Sequence, residues 1–321
     1  MAQCEVKLKM KNWKKYLPII GIVLFIYILF KINLVNILEE IKNVNLSFLF
    51  IALILMIITT FIQTYKWYII AILQEIRVPF IEAVKINMIS NFYGLVTPAK
   101  LGSVIRAEYL KKYTKNNNIG KGLFNFTIDK ILDLTSVIFM VILFSFVFKD
   151  KLDLPITFFT TLFLTFVFLT LFFIKKDRSK WFLRFFYRRF HKKLKNKAKM
   201  TFDSFYEHIP KKRYFILFFL LNIISWVFVY LIYYVIGLSF GIELSFLYYL
   251  AILPISTLVA IIPISFNGLG TREAALISLF GLFNISSAKV FSMSIIDWLI
   301  VGIIPAIIAI FLIWRSKSTT S

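Results

Sequence analysis

The fold predicted by the sequence is an all-α polytopic integral membrane protein, with about six to eight transmembrane helices and two re-entrant helical hairpins arranged as inverted repeats. Three observations carry that expectation. The chain is 60% hydrophobic over 321 residues, with 37 Phe, and its mean hydropathy of +0.81 is too high for a soluble fold of this size. Apolar runs recur at lengths suited to crossing a bilayer, which takes roughly 20 residues. Two of the apolar regions are broken by polar tracts rich in Pro and Gly, one per half: residues 98–106, with Pro98, Gly102 and Arg106, and residues 263–273, with Pro263, Gly268, Gly270, Arg272 and Glu273.

The first apolar run, residues 17–30, follows Lys7, Lys9, Lys11, Lys14 and Lys15 in the manner of a signal peptide. No small-x-small cleavage site follows it, so it is expected to stay as the first span. Further spans are expected at residues 46–62, 128–148, 154–174, 215–236 and 290–314. Residues 80–110 and 245–283 hold the broken tracts and are expected to form helix, tip, helix hairpins that enter the bilayer and return. The spacing differs between them, with three residues between Pro98 and Gly102 and six between Pro263 and Gly270. One domain over residues 1–321 accounts for the whole chain.

Lys and Arg outnumber Asp and Glu by 38 to 16, a formal charge of +22. In a chain this apolar the excess reports orientation rather than nucleic-acid binding. The Lys-rich N-terminus, residues 77–121 and residues 175–213 are expected on the cytoplasmic side, with residues 33–45 and 149–153 outside. Six spans then return Arg315 and Lys317 to the cytoplasm. On this count the first hairpin enters from inside and the second from outside. Within residues 175–213, Phe182, Phe185, Phe186, Phe190 and Leu194 fall opposite Arg184, Arg188, Lys192, Lys195 and Lys199, the pattern of a basic interfacial helix.

Several chemistries are excluded. The lone cysteine, Cys4, permits neither a disulfide framework nor a thiolate metal site within one chain. Gly237-Leu-Ser-Phe-Gly241 matches a hydrolase nucleophile elbow, but it ends a span with no strand before it, and His191 and His208 lie on the opposite predicted side. No Gly-rich loop ends in Gly-Lys-Ser/Thr, so an ATP-hydrolysing motor is not expected. No cofactor and no metal are expected.

A Pro/Gly break at membrane depth survives only against protein or a polar cavity, and transporters place binding sites at such breaks. The tracts therefore predict a cavity. Each is followed by a helix start, where free N–H groups and the dipole favour an anion. Arg106 either offers its planar fork to a phosphate or pairs with Glu108. Arg272 either binds a ligand or pairs with an acid elsewhere, and Glu273 either joins the binding site or caps its own helix. Because neighbouring residues on a helix do not face each other, Arg272 and Glu273 are expected to have separate partners. Asp129 and Asp133 share a helix face beside Lys130 and can bracket a cation, with the Arg106 guanidinium as a strut or an ion coupled to transport. Asp297 lies in mid-span, where a carboxylate must face protein or water. Arg272 is its expected partner.

At these residues the chain resembles the membrane region of lysylphosphatidylglycerol synthases and its stand-alone, flippase-like relatives, found also behind some archaeal glycosyltransferase domains. The resemblance covers nearly the whole chain. It is carried by Lys66-Trp67, by Asn91 with Pro98, Leu101-Gly102 and Arg106, by Asp129-Lys130 and Asp133, and most specifically by Pro263-Ile-Ser, Gly268-Leu-Gly270 and Arg272-Glu273. Three positions depart from the family pattern: Ser103 replaces an acid, Lys130 an Arg, and Asp129 a common Glu. Ser103 leaves its position without an ion-coupling acid. The resemblance implies movement of a lipid between leaflets of the cell membrane. Since the chain stops at Ser321 without the family's cytosolic aminoacyl-transfer domain, it implies no lipid modification.

The expected passenger is an anionic phospholipid or polyprenyl-phosphate lipid whose phosphate is held by Arg106 and Arg272, in a binding site expected to include Glu273, Gly102, Gly268, Gly270, Pro98 and Pro263, and a lipid-modifying enzyme or glycosyltransferase is a candidate partner. The rival expectations are a membrane-embedded transferase using Asp129 or Asp133 on a polyprenyl phosphate, and a non-catalytic scaffold.

Overall fold

The computed structural model describes residues 17–97, 100–115, 117–148, 155–173, 175–180, 192–262, 264–265 and 267–318. Pro98, Pro263, Cys4, the lysines before residue 17, the 149–153 loop and the 182–190 part of the basic segment lie outside them. The described residues are overwhelmingly α-helical, and none forms a strand.

α1 (Leu17–Ile32) is apolar on all sides and stops at Asn33, whose backbone is left-handed and whose side chain accepts the Val35 N–H to start α2 (Leu34–Lys42). α2 is turned 79° from α1. The 33–45 segment is thus mostly a short amphipathic helix, with Ile37 buried and Leu34, Val35 and Leu38 exposed. Asn45 caps α3 (Leu46–Leu73) in the same way through Ser47 N–H. α4 (Phe80–Leu95), a 3₁₀ turn (Leu101–Val104) and α5 (Ile105–Lys111) form the first helix, break, helix unit. Then come α6 (Gly120–Val147), α7 (Ile156–Phe173) and α8 (Lys192–Phe205), followed by α9 (Arg213–Ser239). α10 (Phe246–Ile261) and α11 (Thr271–Gly281) form the second broken unit, and Pro254 inside α10 withholds one helical hydrogen bond. α12 (Ser287–Asp297) runs through a π-helical turn (Trp298–Ile303) into α13 (Ile304–Ser318).

α3, α6, α9 and the α12–α13 run are long and apolar enough to cross a bilayer. α1 reaches that length only together with α2, while α7 and α10 are apolar but shorter. Ile57, Leu164, Leu220 and Ile307 stand exposed on α3, α7, α9 and α13, as lipid contact requires.

The packing repeats between the halves. α3 lies along α9, α4 packs on α13 as α10 packs on α6, and α5 meets α6 as α11 meets α12. The contacts of one broken unit are thus matched by those of the other. α8, the described end of the basic segment, docks on the start of α6 through the Phe205–Phe124 ring contact and Gly120, where a Cβ would overlap the Thr201 carbonyl. Outside the bundle, Lys176 donates to Asp203 at 2.7 Å, and that hydrogen bond holds the Asp203 carboxyl below its ordinary range.

α1 crosses the second broken unit backbone to backbone. A Cβ on Gly270 would overlap the Gly21 carbonyl, and one on Gly21 would overlap Ser265. Gly270 also has φ 82°, which L side chains rarely adopt. Gly21→Leu should therefore lower the melting temperature of the detergent-solubilised protein, with overpacking costing about 1–3 kcal/mol. Gly281→Ala, which meets nothing within 4 Å, should leave it unchanged; equal melting of both variants would remove the crossing as a structural constraint.

Candidate functional site

Two clusters of charge occupy the interior, one per half. In the first, Lys66 enters from α3 and lies between the two carboxylates of α6, 3.0 Å from Asp129 and in hydrogen-bond contact with Asp133, while also donating to Asn222 of α9 at 2.8 Å. Arg106 of α5 donates to the other Asp129 oxygen at 2.7 Å. Its guanidinium stacks between Trp67 at 4.9 Å and Phe126 at 5.4 Å. The indole N–H of Trp67 is held by Asn87 at 3.1 Å. Lys130 completes the set with a 3.1 Å bond to Asp133.

In the second cluster Arg272 reaches Asp297 at 3.3 Å and the Ser294 hydroxyl at 3.0 Å, and it donates to Glu273 Oε1 through Nε and Nη2. Glu273 Oε2 accepts the Gly270 N–H at 2.5 Å and so caps α11. The Tyr233 ring of α9 lies 5.9 Å from the Arg272 guanidinium.

The equivalence is local as well as global. Each break places a Gly four residues before its arginine, Gly102 before Arg106 and Gly268 before Arg272. Each arginine then bonds an aspartate in the following helix, 23 residues on in the first half and 25 in the second.

Between the clusters stands Lys100, the left-handed residue at the tip of the first break, with φ 56°. It is exposed, and its charge interacts with Lys130 and Asp133 of the first cluster and with Arg272 and Asp297 of the second. Among the described residues no hydrogen bond or ion pair holds its ammonium. Five cations (Lys66, Lys100, Arg106, Lys130, Arg272), of which Lys100 and Lys130 are exposed, thus stand with four carboxylates (Asp129, Asp133, Glu273, Asp297) at the two breaks.

The residues singled out in the sequence are distributed unequally. Asp297 pairs with Arg272 as expected. Arg106 takes Asp129 and not Glu108, which pairs with Lys111 at 3.0 Å. The cation bracketed by both Asp129 and Asp133 is Lys66, with Arg106 on Asp129 alone. Arg272 and Glu273, expected to have separate partners, meet directly: the long guanidinium side chain bends back onto the carboxylate that caps its helix. Gly102, Gly268 and Gly270 serve close backbone packing, since a Cβ on them would overlap the Tyr93 carbonyl, Ala260 and Gly21 respectively. Gly102 N–H also donates to Thr97 Oγ1 at 2.7 Å, closing the first tip. Lys66 had been quoted only for the resemblance, and Lys100, Asn222, Tyr233 and Ser294 were not proposed for the site. Lys66 carried a signal in being a charge inside a long apolar helix; the others are ordinary residues until the helices pack.

Residues 18–309 match the family described as the lysylphosphatidylglycerol synthase TM region. The chain is also similar to the UPF0104 membrane protein PH1989 of Pyrococcus horikoshii, 25% identical over 327 residues that cover 95% of this chain and 98% of that one.

The buried pairs should matter more than the exposed ones. Arg106 and Asp129 are almost fully buried, whereas Lys85 and Glu82 remain 43% and 39% exposed. Asp129→Ala strands both Lys66 and Arg106 and should cost roughly 3–5 kcal/mol in detergent unfolding, while Glu82→Gln should cost at most about 1 kcal/mol. Equal, small losses at both sites would show that Asp129 does not hold the two cations.

Proposed function

The chain belongs to the lysylphosphatidylglycerol synthase transmembrane-region family, and from that premise we propose that it moves a phosphate-bearing lipid between leaflets. It is a membrane protein of a lipid-related family. The observation that carries the finer reading is the excess cation at the meeting point of the two breaks. An accessible ammonium with no counter-charge, set beside buried ion pairs, leaves a positive field that draws in an anion. Lys100 is placed for that role, accessible and within reach of both clusters' fields.

The paired arginines then act differently from the clamp expected at first. Arg106 and Arg272 hold the walls through Asp129, Asp297 and Glu273, and a head-group phosphate competes for their donors only when a carboxylate releases them. Such an exchange of partners is a two-state element, and the lipid shifts it only by binding the two states unequally. In this reading the broken units re-enter the membrane from opposite sides, the first from the cytoplasm, and their tips alternate as gates. Both termini are cytoplasmic.

The protein is read as a non-enzyme. Asp129 and Asp133, the candidate bases of a transferase, are engaged by Lys66, Arg106 and Lys130, which supports struts over proton transfer. The driving energy comes from an ion gradient or from the lipid gradient itself.

The test is translocation of a labelled anionic phospholipid in proteoliposomes, read by quenching from outside. Lys100→Gln should slow it about tenfold or more, the loss of one charge-assisted contact, and Lys100→Arg should restore most of the rate. A wild-type protein that moves a neutral, phosphate-free lipid equally well, with Lys100→Gln unchanged, would overturn the reading.

A further inference from the structure

Away from the interior clusters, a groove of about 330 Å³ opens between α4, α5 and the end of α13. Its floor is apolar, made by Ile86, Ile89 and Leu312. Its mouth is basic: Lys85, Lys112 and Arg315 stand around it, and among the described lining residues the carboxylate is that of Glu82, which Lys85 holds at 2.6 Å. Tyr109 and Tyr113 add phenol donors, and the Lys112 ammonium lies 6.0 Å from the Tyr109 ring. The groove sits where the apolar run of α13 ends, beside Trp314, which is 69% exposed. An exposed Trp followed by Arg marks the level of lipid head groups.

We propose that this groove binds the head-group phosphate of an anionic glycerophospholipid from the adjoining leaflet, with the acyl chains leaving along α4 and α13. Net positive charge and neutral phenol donors suit a phosphate. The apolar floor distinguishes a lipid from a free anion, which would gain nothing from Ile86, Ile89 and Leu312. The site is separate from Lys100 and does not rest on the translocation reading. Because α4 belongs to the first broken unit and α13 to the second half, a lipid seated there ties the halves together at one rim.

The test uses the full chain in a neutral detergent, with melting temperature and native mass spectrometry as readouts and with phosphatidylglycerol, phosphatidylcholine and inorganic phosphate as probes. Phosphatidylglycerol should bind and raise the melting temperature, and the other two should not. Lys112→Gln with Arg315→Gln should weaken phosphatidylglycerol retention about fivefold for each cation removed, while Lys42→Gln, at an exposed cation closing α2 away from the groove, retains it. If the double variant melts lower without lipid, Lys112→Gln alone gives the same comparison, since Lys112 is exposed, and Lys112→Arg should restore binding. The proposal falls if the groove variants bind phosphatidylglycerol as wild type does, if inorganic phosphate gives the same stabilisation, or if Lys42→Gln weakens retention as much as Lys112→Gln does.

Discussion

Buried charge pairing is the constraint on which the rest of this structure depends. A lone charge in hydrocarbon costs several kcal/mol, roughly 2.5–3.5 on insertion scales at mid-helix, and it must be answered by a partner from another helix. Asp129 is answered by α3 through Lys66 and by α5 through Arg106. Lys66 is answered again by α9 through Asn222. Four helices are thereby positioned around one carboxylate, in a setting where apolar contact alone would not choose among helix faces, because lipid tails are as apolar as Leu.

α9 serves both halves. Asn222 belongs to the first cluster and Tyr233 to the second, eleven residues apart, which is about three turns and returns to the same face. The helix is thus a shared wall, with α3 along it. The two clusters are alike in kind, an arginine after a broken tip bonded to an aspartate in the next helix, but not in richness. The first adds Lys66, Lys130 and Asp133; the second adds Glu273, Ser294 and a tyrosine. Cationic surplus accumulates on one side and acid on the other, so the ground between them is electrically uneven.

Much of this was legible in the sequence, and for physical reasons. Apolar runs report helices directly, and α1, α3, α6, α7, α9 and the α12–α13 run overlap them. Helix ends were less legible: α3 continues past its apolar stretch through Lys66 to Leu73, and α6 begins at Gly120, before the run that announced it. Hydropathy stops at a polar residue, whereas the backbone hydrogen bonds do not. α2 was hidden in what reads as a loop because nine amphipathic residues give little signal. The Asp297–Arg272 pairing was foreseeable because a mid-span carboxylate has few available partners. The Lys66–Asp133 pairing was not, since it joins residues 67 apart through a packing that no local pattern encodes. The packing role of Gly102, Gly268 and Gly270 was not legible, because the lack of a Cβ that admits a close neighbour shows only once the helices are in place.

The crossing of α1 over the second broken unit has a mechanical meaning. Gly21 and Gly270 meet with no side chain between them, so there is no soft layer to absorb displacement. A side chain at that point could change rotamer and let the tip slide; bare backbone can only push. Motion of the tip would pass undamped into α1 and, across the 79° elbow, become a sweep of α2 where it lies against α12. The short helix that looks like a mere connector is in this sense the far end of a crank.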